Sequence, residues 1–193
     1  MNPMLSPAIR RGDALLIVDV QYDFLPGGSL GVRGGDAVIA PLNGWIARFK
    51  AADLPIVATR DWHPPDHCSF VAQGGQWPSH CVADTPGARF HADLALPKNA
   101  ALVSKATRRD AEAYSAFAGT DLDEHLRQWH VQRLFIGGLA TDYCVVNTVA
   151  DARRLGYTAV VLVDCIRAVN VEPGDGERAL AAMRANGALF LED

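Results

Sequence analysis

The hydrophobic positions of the chain fall into short continuous apolar runs that alternate with stretches of helical periodicity. Continuous runs rich in Val, Ile and Leu are typical of strands that are buried on both faces of a sheet. Apolar side chains spaced three and four positions apart are typical of amphipathic helices. The runs predict strands at Ala14–Val20, Pro55–Arg60, Ala101–Lys105, Arg133–Gly137, Ala159–Val163 and Ala188–Leu191. The periodic stretches predict helices at Asp36–Lys50, Thr120–Trp129, Asp142–Leu155 and Gly176–Ala185.

This alternation of strands and helices predicts an α/β protein, built as a three-layer α/β/α sandwich around a mainly parallel six-stranded sheet. A length of 193 residues is typical of one domain. We therefore expect a single domain over residues 1–193, in which residues 1–12 form an N-terminal tail. Ligands of such folds bind beyond the carboxyl ends of the strands, so candidate chemistry is sought there.

Charge and hydropathy narrow the range of partners. The chain carries 18 Lys and Arg against 22 Asp and Glu, a formal net charge of −4, and it has no basic cluster. This balance argues against nucleic acid as a partner. No apolar run approaches the roughly 18 residues that span a bilayer, so we expect a soluble, cytoplasmic protein with no membrane partner. The sequence leaves open whether the protein forms a homo-oligomer.

Chemically capable side chains follow four of the predicted strands. Asp19 lies at the end of the first strand, Asp61 just past the second, Lys105 at the end of the third and Cys144 just past the fourth. Because the carboxyl ends of parallel strands meet at one edge of the sheet, we expect these four side chains to lie on one rim.

Cys144 lies at the start of a predicted helix, where unpaired backbone N–H groups and the helix dipole favour a thiolate. A neighbouring Lys105 would lower the pKa of the thiol, and Asp19 could take its proton and later deliver it to a leaving amine. The same N–H groups could bind an oxyanion. The alternative interpretation is that Cys144 is a small buried side chain without reactivity.

The segment after the second strand is rich in potential metal ligands. Asp61 and His63 are two residues apart and project to the same side of an extended segment, and His80 is a third candidate. Such a set, with His67 or Cys81 as further ligands, suits one divalent metal ion that keeps open positions for water or substrate. A structural zinc site is the alternative, and its ligands would be Cys68, Cys81, His67 and His80.

Five segments of the chain carry motifs that resemble those of the nicotinamidase/pyrazinamidase branch of the isochorismatase-like cysteine hydrolases. The segments occur in the same order along the chain as in that family. The resemblance extends from about residue 14 to the C-terminus. In two places the chain departs from the family pattern: Tyr22 stands where Asn is frequent, and Ala106 follows Lys105 where Gly is commoner. The matching segments are Val18–Phe24, Arg60–Pro64, Trp77–Cys81, Tyr114–Phe117 and Gly138–Val145.

The resemblance implies the isochorismatase-like hydrolase fold, a catalytic triad and one divalent metal ion, which is zinc, iron or manganese. It implies that the triad is Asp19, Lys105 and Cys144, and that the metal ligands are Asp61, His63 and His80. It implies an oxyanion site at the N–H groups of Ala140 and Cys144, with a cis peptide between Leu139 and Ala140. The implied substrate pocket consists of Phe24, Leu30, Trp77, Tyr114, Leu139 and Tyr143.

The activity implied by the resemblance is that of a metal-dependent nicotinamidase, which hydrolyses nicotinamide to nicotinate and ammonia through a cysteine thioester and also accepts pyrazinamide. One alternative is a related cysteine amidase that acts on another small amide or on an N-carbamoyl compound. A second alternative, of a different class, is a non-catalytic protein whose metal site is structural.

Overall fold

A six-stranded, all-parallel sheet forms the centre of the protein, whose computed structural model describes residues 8–192. Helices cover both faces of the sheet, which confirms the predicted α/β/α sandwich. The strands are β1 (Asp13–Val18), β2 (Ile56–Asp61), β3 (Ala101–Lys105), β4 (Arg133–Leu139), β5 (Thr158–Arg167) and β6 (Leu189–Leu191). The helices are α1 (Ile39–Ala51), α2 (Leu122–Gln128), α3 (Val146–Arg154) and α4 (Asp175–Ala185).

Successive side chains of β1 point to opposite faces of the sheet, so β1 contributes to the hydrophobic core on both faces. Leu15 and Ile17 pack on one face with apolar residues of α1. Leu16 and Val18 point to the other face and pack with apolar residues of α2, α3 and α4. Every residue of β1 is buried, which explains why its sequence is continuously apolar after Asp13.

The order of strands across the sheet is β3-β2-β1-β4-β5-β6. The chain builds outward from β1 through β2 to β3 and then returns to the other side of β1 with β4. The strand order therefore reverses between β1 and β4, and the carboxyl ends of β1 to β4 surround this switch point. Open α/β sheets bind their ligands in the crevice that forms at such a point.

Of the element boundaries that differ from the predicted ones, three lie near the switch point, where the backbone changes direction. β1 ends at Val18 instead of Val20, because Asp19 takes a left-handed conformation with φ of 50°. β4 continues through Gly138, where a Cβ atom would lie 2.0 Å from the Val18 carbonyl oxygen, so only glycine fits. The predicted helix at Asp142–Leu155 begins as a π-helical turn, Thr141–Val145, before α3.

The predicted tail at residues 1–12 lies partly outside the described residues, which start at residue 8, and β1 begins at Asp13. Within residues 8–192, no helix combines the length and the apolar character needed to cross a bilayer.

Candidate active site

Strand register brings Lys105 and Asp61 together. The two residues are direct partners in the parallel pairing of β2 with β3, at the carboxyl ends of both strands. Lys105 Nζ lies 2.5 Å from Asp61 Oδ1 and 2.9 Å from Asp19 Oδ2. The ammonium also donates to the carbonyl oxygen of Ala113 at 3.1 Å. A lysine that is 1% exposed is therefore surrounded by the oxygen atoms that its buried charge requires.

Asp19 is completely buried beyond the end of β1. Its left-handed conformation turns the chain, and its Oδ1 accepts a hydrogen bond from the Thr59 hydroxyl at 2.7 Å. On the other side of the site, Ala106 also has a positive φ, of 52°, directly after Lys105. Glycine adopts this conformation without strain, so the departure of Ala106 from the family pattern falls where the backbone favours glycine.

Cys144 lies in the π-helical turn after β4 and is 5% exposed. Its Sγ is 3.3 Å from Lys105 Nζ and within 4.8 Å of a carboxylate oxygen of Asp19. π-Helical turns of this kind are frequent at functional sites. The structure thus brings together Asp19, Lys105 and Cys144, the three side chains of the predicted triad.

The electrostatics of the Cys144 thiol differ from the expectation drawn from the sequence. Burial raises the pKa of the thiol well above its usual value. Lys105 opposes this shift, whereas the carboxylates of Asp19 and Asp61 reinforce it. Lys105 therefore acts on the thiol in the predicted direction, but burial and two nearby negative charges, which the helix-terminus argument leaves out, outweigh it. A raised pKa favours the neutral thiol as the resting form of Cys144.

The pKa values of Asp19 and Lys105 are both raised, which suits proton exchange between Asp19 and the Cys144 thiol. Burial raises the pKa of the Asp19 carboxyl; Lys105 lowers it and Asp61 raises it further. For Lys105, burial lowers the pKa, but the attraction of Asp19 and Asp61 outweighs burial and raises the pKa well above its usual value. Lys105 therefore stays cationic, while Asp19 is a stronger base than an exposed aspartate.

A group of potential metal ligands adjoins these three residues. One ligand atom each from Asp61, His63 and His80 lies within 4.8 Å of the others, and all three residues are buried. His63 Nδ1 is 3.0 Å from the His80 carbonyl oxygen, and His80 Nδ1 is 2.7 Å from that of Pro78. A carbonyl oxygen only accepts, so each Nδ1 carries hydrogen and each neutral imidazole keeps a lone pair on Nε2.

Protonation does not compete with metal binding at His63 near neutral pH. Burial, together with the neighbouring His80, lowers the pKa of His63 to about 3. Two imidazoles, each with Nε2 free of a hydrogen-bond partner among the described contacts, and one carboxylate form a donor set that fits a divalent ion such as zinc.

His67 lies beside this group, but its ring nitrogens are engaged elsewhere. Nδ1 accepts hydrogen bonds from the hydroxyl of Ser69 at 2.7 Å and from its N–H at 3.3 Å. Nε2 is 3.1 Å from the Ala111 carbonyl oxygen and so carries the hydrogen. With both nitrogens occupied, His67 is a neighbour of the ligand group and has no free lone pair to offer it.

The alternative structural zinc site is not formed. All four cysteines are free thiols, and among residues 8–192 neither Cys68 nor Cys81 joins a group of three potential ligands. Burial raises the pKa of the Cys81 thiol, and nearby aspartates raise it further. Cys81 therefore remains protonated and is a poor ligand as it stands.

One pocket is lined both by Cys144 and by Asp61 and His80 of the metal-ligand group. Tyr114 on its wall accepts a hydrogen bond from Trp77 Nε1 at 3.0 Å, and Tyr143 packs against both rings. The wall thus presents flat aromatic surfaces to a ligand that reaches both Cys144 and His80. The complete lining is Phe24, Leu30, Asp61, Trp77, His80, Tyr114, Ala140, Tyr143, Cys144 and Val169.

Leu139 is the predicted pocket residue that the structure places elsewhere. It is completely buried in the core cluster on the α1 face, because its position on β4 points it away from the pocket. The peptide that links it to Ala140 is cis, as the resemblance implies. Ala140 itself lines the pocket.

Val169 is a pocket residue that the sequence did not indicate. It follows β5, and the carboxylate of Asp142 holds its segment in place. Asp142 accepts hydrogen bonds from the N–H groups of Val169 at 2.9 Å and Asn170 at 2.7 Å. Asp142 therefore ties the turn that carries Cys144 to the loop that closes the pocket. No local sequence pattern reveals this contact, because the two segments are far apart along the chain.

Gln21 is a second residue that the sequence analysis left without a role. Its side chain is completely buried and bonds to the main chain of Asp61 on both sides. Nε2 donates to the Asp61 carbonyl oxygen at 2.8 Å, and Oε1 accepts from the Asp61 N–H at 2.8 Å. The amide thus bonds like a neighbouring strand and fixes the backbone of a residue shared by the thiol site and the metal-ligand group.

Comparisons with known proteins agree with this geometry. The isochorismatase domain family matches residues 13–192. The nicotinamidase of Escherichia coli K12 is 38% identical over 91% of this chain and 92% of its own. The structure of Pyrococcus horikoshii pyrazinamidase in complex with zinc has a TM-score of 0.90 and 47% identity, over 94% of this chain and 99% of its own. PnC1 from L. infantum in complex with nicotinate has a TM-score of 0.87 and 38% identity, over 94% of this chain and 93% of its own. The chain therefore belongs to the isochorismatase family of hydrolases.

Proposed function

We propose that this protein is a metal-dependent nicotinamidase, which hydrolyses nicotinamide to nicotinate and ammonia and also hydrolyses pyrazinamide. The observation that carries the proposal is one aromatic pocket that is lined both by Cys144 and by Asp61 and His80 of the metal-ligand group. We infer that a flat heteroaromatic amide binds here, with its carboxamide at the thiol and its ring nitrogen toward the metal-ligand group. The named relatives, a nicotinamidase and a pyrazinamidase, act on amides of this kind.

The reaction begins with a proton transfer within the buried cluster. A carboxylate oxygen of Asp19 lies within 4.8 Å of the Cys144 sulfur, and Asp19 takes the thiol proton as the sulfur attacks the carboxamide carbon. Lys105, 3.3 Å from the sulfur, stabilises the negative charge that passes through it. The oxyanion that forms on the carbonyl is held by the N–H groups of Ala140 and Cys144.

Collapse of this intermediate breaks the C–N bond. Asp19 returns the proton to the amide nitrogen, ammonia leaves, and the acyl group stays on Cys144 as a thioester. Water then attacks the thioester while Asp19 takes one of its protons. The C–S bond then breaks as Asp19 gives the proton back to the sulfur, which restores the Cys144 thiol. The acid that forms loses its remaining proton to bulk water and leaves as nicotinate. Asp19 suits both roles because burial raises its pKa toward the working range.

A divalent ion held by Asp61, His63 and His80 would supply a Lewis-acidic anchor for the ring nitrogen of the substrate. The aromatic walls formed by Trp77, Tyr114 and Tyr143 orient the ring and exclude water. Phe24 and Leu30 complete the apolar side of the pocket.

Replacement of the nucleophile tests the mechanism. Cys144→Ala should abolish ammonia release from nicotinamide, whereas Cys68→Ala should leave it near the wild-type rate, because Cys68 lies outside the pocket. Release by Cys144→Ala at the wild-type rate would disprove the thioester route.

A panel that includes pyrazinamide and an N-carbamoyl amino acid tests the substrate: a clear preference for the N-carbamoyl compound would favour the related amidase instead.

Chelation tests the role of the metal. Removal of divalent ions should abolish turnover or strongly raise the KM for nicotinamide, and added zinc should restore it. A metal with a structural role would instead leave the KM of the remaining folded enzyme unchanged while lowering the thermal stability of the protein.

A further inference from the structure

The peptide unit between His80 and Cys81 adopts an unusual conformation next to the metal-ligand group. Cys81 is completely buried and has a φ of 45°, in the left-handed region that residues other than glycine rarely occupy. Such a conformation persists only where surrounding contacts determine it. Because His80 directly precedes Cys81, the contacts that hold this peptide also set the direction of the His80 ring.

Both polar groups of this peptide are bonded to side chains. The Cys81 N–H donates to Asp23 Oδ2 at 2.7 Å. The His80 carbonyl oxygen accepts from His63 Nδ1 at 3.0 Å. The carbonyl of Cys81 itself accepts from the His63 N–H, also at 3.0 Å. A continuous chain of hydrogen bonds therefore runs from the Asp23 carboxylate through one peptide to the His63 imidazole.

We propose that Asp23 is a positioning residue for the metal site, acting on two of its ligands through this single peptide. Its carboxylate fixes the orientation of the peptide and thereby presents His80. By accepting from the N–H, it also polarises the carbonyl that binds His63 Nδ1, which keeps the hydrogen on Nδ1 and the lone pair of Nε2 toward the metal. The inference rests on the proposed function only in taking Asp61, His63 and His80 as ligands.

Asp23 also has a contact that is purely local and provides a matched control. Its Oδ1 accepts from the hydroxyl of Ser29 at 2.8 Å and from the Ser29 N–H at 3.4 Å. Ser29→Ala removes the hydroxyl contact and leaves the bond from Asp23 to Cys81 intact. A role of Asp23 in bracing its own turn would make Ser29→Ala and Asp23→Asn similar, whereas the positioning role separates them.

Gly87 offers a way to displace the carboxylate without changing Asp23. A Cβ atom at Gly87 would lie 2.2 Å from Asp23 Oδ2, so the Asp23 side chain must move in Gly87→Ala. Asp23→Asn keeps the volume of the side chain but removes its charge, and Asp23→Ala removes the acceptor altogether.

The test is the dissociation constant for zinc, measured on metal-free full-length protein by competition with a chelating dye. Loss of a residue that orients metal ligands typically weakens metal binding by about 10- to 100-fold, and we expect this for Asp23→Ala. Asp23→Asn and Gly87→Ala should weaken zinc binding in the same direction, and Ser29→Ala should bind zinc like the wild type. Thermal unfolding of each metal-free variant reports stability separately.

The outcomes distinguish the inference from the proposed function. Wild-type zinc affinity in folded Asp23→Asn and Gly87→Ala would overturn the positioning role, even if both variants were less stable. An equal loss of zinc affinity in Ser29→Ala would also overturn it. The contacts within the turn of Asp23, and not its bond to the Cys81 peptide, would then account for the loss. Absence of zinc binding by the wild-type protein itself would reject the ligand assignment of the proposed function, and with it this inference.

Discussion

The ammonium of Lys105 lies 2.5 Å from the carboxylate of Asp61, at paired positions of neighbouring strands. This contact joins the thiol site to the metal-ligand group, because the same ammonium also reaches Asp19 and Cys144. Loss of the lysine would leave two carboxylates buried side by side without a countercharge. The metal-ligand group and the cysteine chemistry therefore depend on one buried cation.

Replacement of that cation should damage both activity and stability. Lys105→Met keeps the length of the side chain but leaves Asp19 and Asp61 uncompensated, so we expect a loss of about 3–5 kcal/mol in the free energy of unfolding. Turnover of nicotinamide should fall by at least about a hundredfold. Urea unfolding and ammonia release measure the two effects. The exposed Lys50, which lies on α1, is the matched control, and Lys50→Met should change neither the stability nor the turnover. Wild-type turnover in Lys105→Met would contradict the proposed role.

Loss of the Asp19 charge should make Cys144 react faster with an alkylating reagent, while it lowers the turnover of nicotinamide. Asp19 raises the pKa of the thiol, so Asp19→Asn should speed the alkylation of Cys144 by iodoacetamide at pH 7. The same variant should lose nearly all ammonia release, because the proton acceptor is gone. Rates of alkylation, followed by mass spectrometry of the Cys144 peptide, test this. Asp93→Asn, at an exposed position, serves as the control, and slower alkylation in Asp19→Asn would refute the electrostatic assignment.

The wall of the pocket should depend on Asp142. Asp142→Asn leaves one carbonyl oxygen where two carboxylate oxygens hold the Val169 and Asn170 N–H groups. Because a hydrogen bond to a charged group contributes about 1.5–3 kcal/mol, we expect the KM for nicotinamide to rise roughly tenfold while kcat changes less. Steady-state kinetics test this, with Asp151→Asn on the surface of α3 as the comparison. An unchanged KM would mean that Val169 does not contribute to substrate binding.

Acid should destabilise the metal-free protein through His63. The pKa of His63 falls from 6.5 to about 3 on folding, so between these pH values the unfolded state binds more protons than the folded state. Stability therefore decreases as pH falls through this window, by up to about 1.4 kcal/mol for each pH unit from this one group.

His63→Gln removes the titrating group and should flatten that dependence. Thermal unfolding in the presence of chelator, recorded from pH 7 to pH 4, compares the two proteins. Identical slopes of melting temperature against pH would show that His63 is not the group responsible.

The hydrophobic pattern and the residues at the strand ends were sufficient to predict the parallel sheet and the edge of it where the candidate site lies. Six continuous apolar runs predicted the parallel sheet, because only strands covered on both faces can be apolar throughout. The meeting of Asp19, Asp61, Lys105 and Cys144 followed from their places after strands, since parallel strands present their carboxyl ends at one edge.

Tertiary structure decided what depends on burial and on contacts between distant segments. The raised pKa of Cys144 comes from its exclusion from water beside two carboxylates, which no helix-terminus argument contains. The placement of Val169 by Asp142, and the bond from Asp23 to the Cys81 peptide, span 27 and 58 residues of sequence. The sequence alone therefore determined which chemically capable groups meet at one edge of the sheet. Three-dimensional packing determined the direction of their pKa shifts and the contacts that support them, because desolvation and long-range hydrogen bonds exist only once the chain is folded.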